Sequence, residues 1–251
     1  MTMAIVCNEL LGRPLLKIYQ DTEAFNVSID TMLLADFVTI NKRVKKICDL
    51  CSGNAPIPLY LTLRTDAKIV GVEVQEESYD LGIKSIKENK LEDKIDFHLG
   101  NLKGIHSVIG RNSFEVVTCN PPFFKVGDNH INPNDRKAIA RHEVLATLDD
   151  IVKEASILLN PKGRLAMVHR PDRLGEILEV FKKYKIEPKR LRFVYPKIGG
   201  DCNHILIEGI KDGSLGGLIV MPPLIVYNED GLWTKEVISI YNCSKEWLLC
   251  Y

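Results

Sequence analysis

KKICDLCSGNAPIPLYLTLRTDAKIVGVEV, residues 45–74, reads as strand, small-residue turn, helix and strand. KICDL is an apolar run too short for a helix, CSGN supplies turn formers, IPLYLTL suits a helix, and KIVGVEV is a second strand rich in β-branched residues. The alternation continues on the C-terminal side. EESYDLGIKSIKENK (76–90) has helical charge spacing, and KIDFHLG (94–100) and FEVVTC (114–119) read as the third and fourth strands. LATLDDIVKEASILL (145–159) is a helix, GRLAMVHR (163–170) a strand and DRLGEILEVFKKY (172–184) a helix. The pattern then changes: RLRFVYP (190–196) and HILIEGI (204–210) are joined by KIGGDCN, which predicts an antiparallel hairpin closing the sheet. Before the quoted stretch, SIDTMLLADFVTI (28–40) predicts a capped amphipathic helix. The expected fold is α/β: a doubly wound, seven-stranded, mostly parallel sheet with one antiparallel strand. No Gly/Ser linker interrupts the chain, so residues 1–251 are expected to form a single domain. Within it, 1–42 would be an N-terminal segment against the ligand site, 43–212 the core sheet and 213–251 a C-terminal extension.

Composition narrows the function classes. The chain has 251 residues, 45% hydrophobic and 26% charged, with no apolar run of membrane-spanning length, so no membrane partner is expected. MTMAIVCNELLGRPLL at the start has no basic region followed by a small-residue cleavage site, which makes the cytoplasm the expected location. The 33 Lys and Arg balance the 33 Asp and Glu, so any nucleic-acid binding must use a local patch. Seven scattered cysteines suit reduced core thiols. Cys48 and Cys51 form a C-x-x-C with no second pair at zinc spacing, so no metal is expected. Nothing in the sequence decides the oligomeric state, and a monomer is the expectation.

In doubly wound sheets ligands bind beyond the carboxyl ends of the strands, and the unusual residues cluster there. DLCSGNAPIP follows the first strand, where a small-residue turn admits a ligand close to the backbone. Glu73 ends the second strand, where a carboxylate can accept from both hydroxyls of a ribose. Asn101 follows the third strand and can pair with an adenine edge. The dinucleotide fingerprint G-x-G-x-x-G is missing, since its glycines would fall on Cys51, Gly53 and Pro56. These stations suit a nucleoside without a pyrophosphate, and S-adenosylmethionine is such a ligand. The fourth strand runs into NPPFF. There Asn120 offers an acceptor and a donor, Pro121 a second acceptor in its carbonyl, and Phe123 or Phe124 an aromatic face. A planar conjugated amine that donates both N–H bonds to Asn120 and the Pro121 carbonyl becomes more tetrahedral and more nucleophilic.

D-L-x-x-G-N, V-E and N-P-P-F together resemble the N6-adenine methyltransferases. Further blocks narrow the likeness: LLGRPLLKIYQDTEAFNVSIDTMLLADF, DLCSGN, IVGVEVQ, CNPPFF, IARHE, VHRPDRL and EPKRLRFVYP are similar to the bacterial enzymes that N6-methylate adenine-37 of tRNA1(Val). The likeness runs from about Leu10 to Asn228. It implies a Rossmann-like class I S-adenosylmethionine-dependent methyltransferase with tRNA as partner. It places Ser28, Asp30, Asp49, Ser52, Gly53, Glu73, Val74, Asn101, Leu102 and Asn120 at or near the cofactor. It gives Asn120, Pro121, Pro122 and Phe123 the catalytic task of holding a flipped adenine. N-P-P-F alone also resembles some DNA adenine methyltransferases and the glutamine methyltransferases acting on release factors, the latter staying an alternative. So does a catalytically silent RNA-binding module, because Ala55 stands where the family usually has glycine. Asn101 likewise replaces the more usual Asp. Arg136, Lys137 and Arg141 follow the N-P-P-F loop and Arg170 and Arg173 follow the fifth strand, so these five are expected to rim the RNA entrance. Lys182, Lys183, Lys185, Lys189, Arg190 and Arg192 are a second basic group, with a solvated helix end as the plain reading of its first three.

Overall fold

A computed structural model describes residues 5–10, 13–22, 27–123 and 145–241. The chain opens with an antiparallel hairpin, β1 (Ile5–Leu10) and β2 (Arg13–Asp21), followed by helix α1 (Ile29–Phe37). The central alternation is β3 (Lys46–Leu50), α2 (Pro56–Leu61), β4 (Lys68–Glu73), α3 (Glu76–Glu88), β5 (Ile95–Leu99), a short α4 (His106–Ile109) and β6 (Phe114–Cys119). Beyond residue 144 come α5 (Leu148–Leu158), β7 (Leu159–His169), a 3-10 turn (Pro171–Arg173), α6 (Leu174–Lys183), β8 (Ile186–Lys197) and β9 (His204–Lys211). The short strands β10 (Ile219–Val220) and β11 (Leu224–Tyr227) and helix α7 (Lys235–Tyr241) complete the described chain.

The main sheet runs β10-β8-β9-β7-β6-β3-β4-β5, with β11 also on β8. Strands β3 to β7 pair in parallel, and β9 runs antiparallel to both β7 and β8. The seven strands expected from the sequence are those from β3 to β9, with the reversed strand where the KIGGDCN turn predicted it. β10 and β11 add parallel pairs to the outer edge of β8 and raise the sheet to nine.

Side chains alternate between the two faces of each central strand and are buried on both. Ile47, Ile69, Val116 and Ala166 join α1, α2 and α7 on one side. Cys48, Val70, Val117 and Leu165 join α5 and α6 on the other. Such two-sided burial explains why these strands read as continuous apolar runs. Gly71 in β4 is dictated by packing: a Cβ there would stand 2.4 Å from the Phe97 ring. The Phe97 ring stacks in turn on Tyr79 of α3, centroids 5.4 Å apart. Helix α5 begins in a capping box in which Thr147 accepts from the Asp150 N–H and Asp150 accepts from the Thr147 N–H.

From β3 the chain winds outward through β4 to β5; β6 then pairs on the other side of β3 and the chain winds away through β7. The winding therefore reverses between β3 and β6, whose ends are in register at Leu50 and Cys119. A crevice opens at such a reversal. The residues that follow, Cys51 and Asn120, stand on its two sides.

Candidate active site

The crevice is a cavity of about 1260 Å³ including the part open to solvent. Its walls come from the ends of β3, β4, β5 and β6, from the start of α1 and from Leu145 and Ala146 ahead of α5.

On the β3 side, Cys51, Gly53 and Ala55 have φ of 56°, 55° and 68°, so alternate residues of the turn adopt the left-handed conformation. Only Gly53 does so without steric cost. Asp49 anchors the turn from below, fully buried. Ser52 Oγ donates to its Oδ2 and Thr118 Oγ1 to its Oδ1, both at 2.6 Å. Burial pushes the Asp49 carboxyl up to about 7, the two hydroxyl donors opposing the shift and the nearby Glu73 adding to it. Glu73 at the end of β4 accepts the Gly53 N–H at 2.7 Å and the Gln75 N–H at 2.8 Å. Burial raises its pKa against these backbone donors. It lines the cavity, and its remaining lone pairs suit a ribose diol.

On the β6 side, Asn120, Pro121, Pro122 and Phe123 all line the same cavity. Asn120 Nδ2 donates to Thr31 Oγ1 of α1 at 3.3 Å, which occupies the amide's donor end and leaves Oδ1 as an acceptor. Phe123 touches two imidazoles, His169 and His204, each with ring centroids 5.5 Å away.

The structure thus brings Ser52, Gly53, Glu73, Val74, Asn101, Leu102, Asn120, Pro121, Pro122 and Phe123 onto one cavity wall. Asn101 Oδ1 accepts the Lys103 N–H at 2.9 Å and so also shapes its own turn. Asp49 lies beneath the wall. Ser28 and Asp30 stand one step behind it: Ser28 Oγ donates to Asp30 Oδ2 at 3.1 Å, and Asp30 Oδ1 is 3.4 Å from His204 Nδ1. Their neighbours Val27 and Thr31 are the residues of that segment on the wall, together with Asp21 from the end of β2. Val27 and Thr31 carry no chemical signature of their own in the sequence, and Asp21 ends a strand that the sequence reading does not assign.

Two groups of basic residues need correction. Arg173 is not on the rim: it is 7% exposed, its Nε and Nη2 bind the two carboxylate oxygens of Glu176 at 2.7 and 2.9 Å, and its Nη1 donates to the Phe123 carbonyl at 3.4 Å. A guanidinium matched bidentately to a carboxylate tolerates burial that an isolated cation does not. Arg190 and Arg192 are structural ties. Arg190 lies over the Phe37 ring and donates to the Phe37 carbonyl, while Arg192 joins the Pro222 carbonyl and Glu236. Arg170 does lie at the surface, paired with Asp172 at 3.1 Å. Arg136, Lys137 and Arg141 lie outside the described residues. Cys48 is a fully buried strand residue, whereas Cys51 lines the cavity.

Residues 24–194 match the model of the methyltransferase small domain. The chain belongs to the methyltransferase small domain family. This methyltransferase is 30% identical to the tRNA1(Val) (adenine(37)-N6)-methyltransferase of Porphyromonas gingivalis over 196 residues, 76% of each chain. It is 22% identical to the protein of the same name from Aeromonas hydrophila over 225 residues, 88% of this chain and 90% of that one. Among solved structures it superposes on a predicted O-methyltransferase from Agrobacterium tumefaciens with a TM-score of 0.69 at 22% identity, covering 85% of this chain and 95% of that chain. A TYW2 structure from Pyrococcus horikoshii gives a TM-score of 0.60 at 12% identity, covering 84% and 73%. The methyltransferase thus has the class I fold of S-adenosylmethionine-dependent enzymes and is an enzyme of that class. The donor set fits that cofactor, with a buried carboxylate at the end of β4, a glycine turn beside it and a cavity wall to which Asn101 and Leu102 contribute.

Proposed function

We propose that the methyltransferase methylates the exocyclic N6 of adenine-37 in tRNA1(Val), using S-adenosylmethionine, in the cytoplasm where tRNA resides. The observation that carries this reading is the placement of Asn120, Pro121 and Phe123 on the same cavity as Glu73, with the amide of Asn120 oriented by Thr31. The relatives' names supply the choice of substrate.

When bound, the cofactor supplies an electrophilic methyl group on a sulfonium. The chain's own residues prepare the acceptor. Asn120 Oδ1 and the Pro121 carbonyl accept the two N–H bonds of the amine, drawing its lone pair out of conjugation and toward the methyl group. Phe123 stacks on the base and fixes the angle of approach. Methylation would form the N–C bond as the sulfonium S–C bond breaks to leave a neutral thioether; both acceptors would stabilise the positive charge this places on the nitrogen, and one of its protons would then leave to solvent. No side chain has to act as a strong base. Arg170, on the surface just beyond β7, would meet RNA phosphate, and the tRNA base would swing out to enter the cleft.

Ala55 does not argue for a silent module. It is fully buried in the core beside α2 and is not part of the cavity wall, so its methyl group leaves the cofactor's space clear.

Labelled S-adenosylmethionine incubated with an unmodified tRNA1(Val) transcript, the same transcript carrying G at position 37, and a release factor tests the assignment. Label is expected on the first substrate alone. Equal label on the G37 transcript would move the target nucleotide, and label on the release factor alone would make the enzyme a glutamine methyltransferase.

A further inference from the structure

The carboxyl end of β7 carries a buried group that the methyl-transfer chemistry does not use. His169 is fully buried, and its Nδ1 accepts the Arg170 N–H at 2.8 Å, so the ring proton sits on Nε2. That Nε2 has no hydrogen-bond partner among the described residues. A buried donor left without an acceptor is destabilising and calls for an explanation. The residues around it supply one. His169 ends β7 and His204 begins the neighbouring antiparallel strand β9, and both imidazoles contact the ring of Phe123. Arg173, four residues after His169, reaches the carbonyl of the same Phe123 and is itself locked by Glu176. Asp30 holds His204 from the side of α1, the helix whose Thr31 orients Asn120.

Ring and carbonyl of Phe123 are therefore gripped separately. We propose that His169, His204 and Arg173 form a cradle that fixes Phe123 in the orientation needed to stack the methyl acceptor, making them positioning residues for methyl transfer. The inference rests on the stacking role proposed for Phe123. Burial, with the Arg173 charge next in weight, pushes His169 down to about 4, so this part of the cradle is a neutral ring at physiological pH. A neutral N–H beside an aromatic ring makes a weak directional contact, and an imidazolium is not needed. The arrangement also explains why the histidine and second arginine of VHRPDRL lie close to CNPPFF although some 50 residues separate them in sequence.

A double-mutant cycle tests the cradle. His169→Leu is expected to lower kcat on the tRNA transcript by about tenfold, in line with the steep dependence of rate on alignment. Cofactor affinity should stay within about twofold, because His169, His204 and Arg173 are not among the residues that line the cavity. In a Phe123→Ala background the same substitution should change kcat by less than about twofold. Losses that multiply in the double variant, or that appear equally in cofactor affinity, overturn the proposal. Should His169→Leu fail to fold, His204→Asn carries the same cycle from the other imidazole. A substrate-free reading comes from the 19F resonance of Phe123 in protein labelled with 4-fluorophenylalanine, assigned by its loss in Phe123→Leu. The resonance should shift toward the free amino acid in both histidine variants, and an unmoved resonance rejects the cradle. If the wild-type enzyme methylates no tRNA while this resonance still responds, the substrate assignment falls and the cradle stands.

Discussion

The turn after β3 and the turn after β6 face each other across the middle of the sheet and hold their shapes by opposite means. Residues 51–55 obtain their curvature from backbone conformation, three positive φ angles in five residues, two of them at side chains that disfavour it. Residues 120–123 have no positive φ; two prolines limit the chain, and side chains from α1 and from the segment after β7 hold Asn120 and Phe123 in place. The difference follows from what each turn must present. A turn that offers backbone to a ligand needs unusual φ and few side chains. A turn that offers side-chain and carbonyl acceptors needs those groups immobilised, which is a matter of tertiary contact.

Changes at the two turns should therefore fail differently. Asn120→Ala removes the acceptor proposed to hold the amine, and methyl transfer should fall by on the order of 10²–10³ or more, as when a preorganised polar contact is lost elsewhere. Cofactor binding, followed by calorimetry, should persist; parallel loss of both would make Asn120 a cofactor ligand first. Glu73→Ala should do the reverse. Loss of a carboxylate making charge-assisted hydrogen bonds, each worth about 1.5–3 kcal/mol, should weaken cofactor binding by at least about tenfold while kcat at saturating cofactor is kept.

Asp49 gives a pH-dependent test of the β3 turn. Its folded pKa of about 7 lies above the ordinary value of 3.8. Between those values the unfolded chain gives up the proton and the folded chain retains it, so stability contributed by this group falls as pH rises through the window and is lowest above it. Asp49→Asn lacks that fall. Denaturant titrations should show the variant gaining stability relative to wild type from pH 4.5 to 7.5, and a constant difference would mean the carboxyl is not held neutral. The smallest effect is expected for Ala55→Gly. Relief of a left-handed alanine, about 1–2 kcal/mol, is opposed by glycine's greater chain entropy, about 0.4–1 kcal/mol, and by loss of a buried methyl group, about 0.8 kcal/mol, so stability should change by less than about 1 kcal/mol. Cofactor affinity should not change, since Ala55 packs in the core. A tighter Kd in the glycine variant would restore the idea that its methyl group obstructs the ligand.

Much of this site is legible in the sequence because the strands of a parallel sheet are apolar nearly throughout, which makes their ends easy to find. Glu73, Asn101 and Asn120 stood out as polar residues where apolar runs stop. The pairings at the margins were not readable. β1 and β2 meet each other, and β10 and β11 meet β8, through backbone hydrogen bonds that short segments near Gly and Pro do not announce. Arg173 was misplaced because a cation is solvated by default; the clue was Glu176, three residues on, able to reach back on a helical turn. Thr31 left no trace, since one hydroxyl on an otherwise buried helix looks like any other.

Local patterning by itself determined the alternation of strands and helices, the reversed strand and the chemistry available at each strand end, because hydrophobic period and turn residues act over a few neighbours. Tertiary structure alone decided which of those groups share a cavity, which stand behind it, and that an arginine and two histidines close on Phe123. Those outcomes depend on side chains brought together from distant parts of the chain, and only the packed sheet sets the distances between them.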